Sequence, residues 1–394
     1  MNRRSFLRGA GVVTVLVAGG GVWRAYDQGV FSAGKGPAYE PWKDWRSHPN
    51  ERAALALVRA AILAASPHNT QPWLFKVTDS SIELLIETNR NVGALDPYLR
   101  EEHIGMGCAL ENLLLAAAAS GYAPTVTLFS GKLGPIPPDP KPKLVARVDL
   151  SPGEREVSEL YDAIPKRHTN RGAYNSQQPI PSQFIEALSH LASDEADVRI
   201  FLFTAPADRS KITEISSAAN TELYSDPAVE SASDQWIRLN WSSVQKYRDG
   251  LTIDAFGLPP IATAVAKIMP SSVLKRVASK EALAGYSKLM LTAPLIGILA
   301  VRDRFDQESC LRAGRIWQRA HLLATARDLA GRPCNEAVEM IDHEKVLGKP
   351  ARRAALLAEV LGDTAWQPTF LFYMGYPLLT ARASPRRSIS SVVL

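Results

Sequence analysis

Ser66-Pro67-His68-Asn69-Thr70-Gln71-Pro72-Trp73 joins two segments of different character. Before it, Glu51 to Ala65 reads as an apolar helix; after it, Leu74-Phe75-Lys76-Val77 reads as a strand. The helix must end at or near Ser66, because a residue that precedes proline is pushed out of the helical region. The stretch is therefore a built turn. Its two prolines restrict the backbone, and Ser66, Asn69 and the main chain offer polar groups to anything lying on it. On residue type alone it reads as an ordinary helix-to-strand connection in which Asn69 and Gln71 satisfy local backbone groups; a ligand shelf is the competing reading.

Upstream, the chain opens Met1-Asn2-Arg3-Arg4-Ser5-Phe6-Leu7-Arg8 and then runs apolar and glycine-rich from Gly9 to Trp23. Paired arginines, Phe-Leu and an apolar stretch predict a twin-arginine export signal over residues 1–31, with Phe31-Ser32-Ala33 the nearest approach to a cleavage site. An uncleaved anchor through residues 9–23 is the alternative, somewhat short against the roughly 20 residues a span requires. The expected location is periplasmic, either free or anchored. Gly9-Ala10-Gly11 is not a dinucleotide fingerprint, since no strand precedes it and no third glycine falls in phase.

Removing residues 1–31 takes away four arginines and one aspartate, so a net charge of +5 falls to +2. A nearly neutral body without a basic run interleaved with aromatics argues against nucleic acid as a partner. Cys108, Cys310 and Cys334 are too few and too scattered for a disulfide framework or a zinc site, and the seven histidines lack metal-helix spacing, so no metal is expected.

A chain of 394 residues suits two domains better than one. The proline-rich seam Gly134 to Pro142 is followed by an alternating strand, Leu144 to Leu150, which places the boundary near Ser151: a first half over 41–150 and a second over 151–394. In the first half, Arg100 to Gly121 is apolar at almost every position after Ile104, as a helix buried on nearly all sides must be. Gly105 and Gly107 would let another helix approach closely. In the second half, Leu311 to Gly331 repeats that design, a weak internal repeat. Residues 207–290 read as a mainly helical insertion without a counterpart in the first half: either a cap over something or a structural brace. Ile389 to Leu394 reads as a last short strand.

Arg167, Thr169 and Arg171 recur at every second residue, so in extended backbone they point to one side. Two guanidinium groups and a hydroxyl would suit a phosphate; a solvated basic loop is the competing reading.

Four motifs together resemble the nitroreductase family, flavoenzymes that bind FMN. Ser66-x-x-Asn69-x-Gln71-Pro72-Trp73 is similar to the family's turn against the flavin, and Arg167-His168-Thr169-Asn170-Arg171 resembles its Arg-Arg-Ser-x-Arg motif for the FMN phosphate and ring, with Arg167, Thr169 and Arg171 on the Arg, Ser and Arg positions. Gly107-Cys108-Ala109-Leu110-Glu111-Asn112-Leu113 resembles its dimer-core helix, and Gly375-Tyr376-Pro377 followed by Pro385-Arg386-Arg387 its closing basic segment. The order matches the Acg-like branch, with two halves in one chain. The resemblance implies an α+β fold of mixed, largely antiparallel sheets flanked by helices, two fused halves forming a monomeric pseudo-dimer. It further implies one FMN site, with Arg167, Thr169, Arg171 and Arg386 or Arg387 facing Ser66, Pro67, His68 and Asn69. No protein group is assigned as catalytic. The implied activity is flavin hydride transfer to quinones or nitroaromatics from an unknown electron donor; the alternative is flavin storage beneath a lid formed by 207–290.

Overall fold

The computed structural model describes residues 21–46, 53–137, 141–270, 273–274 and 285–394. The twin-arginine motif and most of the apolar run that follows it lie outside the described residues.

Two four-stranded antiparallel sheets dominate. Helix α1 (Ala53–Ala61) leads through the Ser66 turn into β1 (Trp73–Val77) and β2 (Ser81–Ile86), then α2 (Arg100–Ala119), β3 (Tyr122–Leu128) and β4 (Lys143–Pro152). The first sheet has the order β1-β2-β4-β3. Short α3 (Glu159–Ala163) and α4 (Ser182–His190) precede β5 (Val198–Phe203). The insertion then supplies α5 (Pro206–Leu223), α6 (Pro227–Asp234), β6 (Ile237–Arg238), α7 (Trp241–Tyr247), β7 (Leu251–Thr252) and α8 (Pro260–Ile268). After it come β8 (Leu295–Val301), α9 (Gln307–Ala326), β9 (Ala330–Pro333), α10 (Glu336–Val346), α11 (Arg352–Leu361) and β10 (Gln367–Gly375).

The second sheet has the order β5-β8-β10-β9, so each sheet uses its strands in the same topological sequence, with a long helix between the second and third. Strand β8 is buried at every position, as a continuous apolar run covered on both faces must be. A Cβ on its Gly297 would lie 2.2 Å from Cζ of Phe372, whose ring occupies that space from the neighbouring strand.

The axis of the molecule is the contact between α2 and α9. A Cβ on Gly107 would lie 2.1 Å from the Leu311 carbonyl, and one on Gly314 would lie 2.0 Å from the Ile104 carbonyl. Each helix thus presents its glycine to the backbone of the other, a reciprocal contact that any side chain would break. Gly105 does something else: its missing Cβ makes room for Pro67 Cδ at 3.1 Å and Ser66 Cβ at 3.3 Å, so it admits the turn and not a helix. Beyond the glycines, Gln318 donates to Asn112 at 2.8 Å, and Asn112 donates on to the Ala60 carbonyl at 2.9 Å, tying α1, α2 and α9 together.

The buried start of α2 carries charge. Arg100 has no exposed surface; its Nε bonds Asp342 at 2.8 Å, and Asp342 also pairs with Arg304 at 2.9 Å. Burial pushes the carboxyls of Asp96 up to about 6 and Glu101 up to about 7, against the pull of Arg100. Two expected elements come out differently. Helix α9 ends at Ala326, Asp328 takes the positive-φ position, and Gly331 belongs to β9. Ile389 to Leu394 is not a strand: Ile389–Ser391 forms a 3-10 turn, and the tail then hooks onto the edge of β1 through Phe75 N to Val392 O and Leu394 N to Phe75 O. Ser391 and Ser388 favour the turn by a side-chain-to-backbone bond of 2.7 Å.

Candidate functional site

Among the described residues, the Ser66 turn gathers three of the six non-glycine residues with positive φ. His68, Asn69 and Gln71 all have positive φ, at 43°, 59° and 54°. Non-glycine residues hold such angles only where the surroundings fix them. Here they are fixed from four sides. Ser66 Oγ accepts from Gln71 N at 3.0 Å, and Asn69 Nδ2 donates to the carbonyls of Gly250 (3.2 Å) and Pro385 (2.9 Å). Gln71 Nε2 donates to Arg248 O at 2.9 Å, while its Oε1 accepts from Arg387 N at 2.8 Å. Thr70 donates to Glu102 at 3.1 Å. The side chains of Ser66, Asn69 and Gln71 therefore bracket the turn by bonding backbone groups, as residue type alone suggests for Asn69 and Gln71, because three left-handed residues in a short span need the acceptors and donors around them.

Second-half arginines converge on the same place. The carbonyls of Leu63 and Ala64, just past the end of α1, accept from Arg167 Nη2 (3.0 Å to Leu63) and Arg386 Nη2 (3.1 Å to Ala64). The carbonyl end of a helix attracts cations. Arg386 also bonds Asn69 Oδ1, and its guanidinium lies 4.6 Å over the ring of Trp42. Trp42 in turn meets His168 edge-on at 4.6 Å. Arg167 lies 3.4 Å from His321 Nδ1, which must accept, leaving His321 Nε2 as the protonated nitrogen. Arg171 donates to the Ala255 carbonyl at 3.4 Å.

Arg167 and Arg386 are buried, and among the described residues neither they nor Arg171 takes part in an ion pair. Burial, with little to offset it, lowers the guanidinium of Arg167 to about 10. Burial and then Arg332 bring Arg171 to about 10, and burial and then Arg167 bring Arg386 well below its ordinary value. Arg167 Nε, Arg386 Nε, His168 Nδ1 and His321 Nε2 are buried without a hydrogen-bond partner. Buried cations without counter-charge are costly, and the unpartnered donors beside them have capacity left for an anion. The histidines add no charge at neutral pH: burial and Arg171 hold His68 at about 4, burial with Arg167 and Arg386 holds His168 at about 3, and burial keeps His321 well below the usual imidazole range.

The structure thus brings together Arg167, Arg386, Asn69 and the turn through Pro67, with Arg171 near enough to lower the pKa of His68. It does not bring in Arg387, which pairs with Glu87 at 3.0 Å and braces Gln71. Thr169 is half-buried between the arginines, while His168 takes the place against Trp42 and Arg386. Sequence reasoning missed His168, His321 and Trp42; an imidazole on the buried face of α9, one turn after Trp317, was the available signal for His321.

The insertion lies directly on the turn. Besides the bonds to the carbonyls of Arg248 and Gly250, His68 Nε2 is 3.1 Å from Ser233 Oγ, and a Cβ on Gly257, at φ 71°, would lie 2.2 Å from the Gly172 nitrogen. In the second half the corresponding turn is different. Two residues before the Gly107 and Gly314 contacts stand Gly105 and Arg312. Where Gly105 admits Ser66 and Pro67, Arg312 pairs with Glu195 at 2.8 Å, and Arg315 joins it. That turn is closed by ion pairs. A groove of about 390 Å³ lined by Ser210, Thr213 and Ser217 of α5 and by Ser287 and Leu291 lies between those segments.

No family model matches the chain. It is 27% identical over 374 residues to "Putative NAD(P)H nitroreductase Rv3131" of Mycobacterium tuberculosis, spanning 91% of this chain and 95% of that protein. It is 35% identical over 118 residues to the acg protein of the same organism, of the same named type, across 29% of this chain and 33% of that one. Among solved structures it resembles an FMN-dependent nitroreductase, NfnB of Mycobacterium smegmatis in complex with NADPH, with a TM-score of 0.36 and 18% identity over 59% of this chain and 96% of that one. A nitroreductase with bound FMN from Desulfitobacterium hafniense gives a TM-score of 0.37 and 12% identity over 61% and 98%.

Proposed function

We propose that the chain is an FMN-dependent oxidoreductase of the nitroreductase family with a single flavin site, built between its halves. The observation that carries this is the meeting of Arg386 with Asn69 of the strained first-half turn and of Arg167 with the Leu63 carbonyl just before it, neither arginine ion-paired among the described residues. The orphaned Arg167 Nε and Arg386 Nε fit a phosphate. The similarity to Rv3131 along nearly the whole chain supports the same class.

In this reading Arg167 and Arg386 hold the phosphate, and Arg171, near His68, supplies positive charge where a reduced ring would become anionic. Bound FMN supplies hydride chemistry at its N5. The protein contributes position, charge and exclusion of water: Trp42 shields Arg386, and the insertion covers the turn. The neutral histidines leave the arginines as the cations of the site. Quinones or nitroaromatics are the proposed acceptors; the donor is NAD(P)H or, if the chain is exported as its first residues propose, a reduced quinone. Thr169 and Arg387 remain in the proposed set as neighbours that shape the arginine loop and the turn.

The test is flavin content and reactivity. Purified protein should be yellow and release one FMN per chain, because the corresponding turn in the second half is filled by Glu195 and Arg312. Anaerobic mixing with NADPH, and separately with a reduced quinone, should bleach the flavin in at least one case. A colourless protein that fails to take up added FMN refutes the reading. A yellow protein that neither donor reduces would favour storage beneath the insertion.

A further inference from the structure

Helix α8 is inside out. Its exposed positions are apolar, Ile261 at 82% and Val265 at 54%, while its polar residues Thr263 and Lys267 are buried at 6% and 7%. Lys267 is the helix's single charged residue and is used inward, pairing with Asp254 at 2.6 Å and donating to the Gly29 carbonyl at 3.0 Å. An amphipathic helix on a protein surface ordinarily turns its apolar stripe to the core. Leu258, just before α8, is exposed as well.

A second apolar set adjoins it. Trp23, Tyr26 and Phe31 are exposed, and the segment bearing them is fastened to the end of α8: Arg24 Nε donates to the Ile268 carbonyl at 2.6 Å and Nη2 to that of Met269 at 3.4 Å. Residues 21–27 are helical and continue, in sequence, the apolar run Gly9 to Trp23 led by Arg3, Arg4 and Arg8. The apolar N-terminal run therefore enters the described structure beside an uncharged apolar helix face.

We infer that α8 and residues 21–31 form one membrane-docking face that lies on a lipid bilayer surface. With nine residues α8 is far too short to span a bilayer, so its contact is interfacial. Tryptophan and tyrosine are the side chains favoured at the headgroup level, and an aliphatic face without charge suits the acyl boundary. A second copy of the chain would cover the helix face equally, but would leave unexplained why the sequence leads into it through an apolar run headed by arginines. The bonds from Arg24 and to Gly29 also require that residues 24–29 stay attached to the mature chain. The inference stands apart from the flavin assignment.

The three native cysteines are buried, so a single introduced cysteine can be labelled selectively. The full chain, carrying Ile261→Cys, Val265→Cys or, as control, Leu356→Cys on exposed α11, would be labelled with an environment-sensitive dye and mixed with vesicles of phosphatidylcholine and phosphatidylglycerol brominated in their acyl chains. Labels at 261 and 265 should lose roughly half or more of their emission, and the label at 356 almost none, as expected for a face seated at the acyl boundary. Equal emission at all three positions overturns the inference. So does a disulfide formed under mild oxidation between two unlabelled copies of the Val265→Cys chain, together with no quenching of the labelled chain, which would assign the face to a second copy. Mass spectrometry of the chain recovered from cells should find residues 24–29 retained; cleavage after Ala33 would also overturn it.

Discussion

Replacing Arg386 with methionine removes a buried cation while keeping most of the side-chain volume. Without a phosphate-bearing ligand, two effects oppose. The variant loses bonds to the carbonyls of Ala64 (3.1 Å) and Pro385 (2.9 Å) and to Asn69 Oδ1, each contributing about 0.5 to 1.5 kcal/mol. It also relieves a buried charge without counter-charge, whose cost is several kcal/mol. The sum should be small, within about 2 kcal/mol of the parent by urea denaturation. With FMN the balance is one-sided: a charge-assisted contact of about 1.5 to 3 kcal/mol disappears, so the dissociation constant should rise roughly 10- to 150-fold. Titrating flavin-free protein while following the quenching of FMN fluorescence measures it. Arg386→Lys, which keeps the charge and loses the planar fork, should fall between the two. If Arg386→Met binds FMN within about threefold of the parent, the arginine cluster is not the phosphate site, and the reasoning from unpaired charge fails.

Gly107→Ala and Gly314→Ala should each destabilise the fold by about 3 kcal/mol or more in chemical denaturation, since either Cβ meets opposing backbone near 2 Å; Gly105→Ala, whose Cβ meets the Ser66 turn above 3 Å, should act mainly on FMN affinity. Asp342→Asn should cost roughly 3 to 5 kcal/mol, because it strips a shared carboxylate from the buried Arg100 and Arg304; a loss under about 1 kcal/mol would mean the network is not holding α2. His168 has a folded pKa of about 3, below its unfolded value, so its contribution is present above about pH 6.5 and is lost as pH falls toward 3. Measured at about pH 4.5, His168→Gln should therefore have gained roughly 2 to 3 kcal/mol on the parent relative to its standing near pH 7.5.

Much of this architecture was open to reading because periodicity reports burial. The run at Leu295 to Val301, apolar throughout, could only be a strand covered on both faces, and the apolar character of Ile104 to Ala119 marked a helix with no solvent face. Gly107 was readable as a close approach, though which glycine met the helix and which met the turn depended on tertiary position. The tail at Ile389 was misjudged because its serines bond the backbone locally, a competition that hydrophobic alternation does not register. For the site, the arginine spacing and the turn were legible, and their meeting was what the family resemblance implied. The partners from elsewhere in sequence were not: His321 and Trp42 each look like core residues until Arg167 and Arg386 are placed beside them.

The ion pair between Glu195 and Arg312 has a consequence for how such a chain can change. In an assembly of two identical subunits, every substitution is written twice, and a residue that improves one site must also be tolerated at its mirror image. Here Gly105 and Arg312 occupy matching places yet are separate codons. The second half could close its turn with charge, keeping the helix contact that both halves need, while the first kept at Gly105 the space that its contorted turn occupies. Joining the halves in one polypeptide releases each from the other's constraint, so that one can specialise in recognition and the other in support.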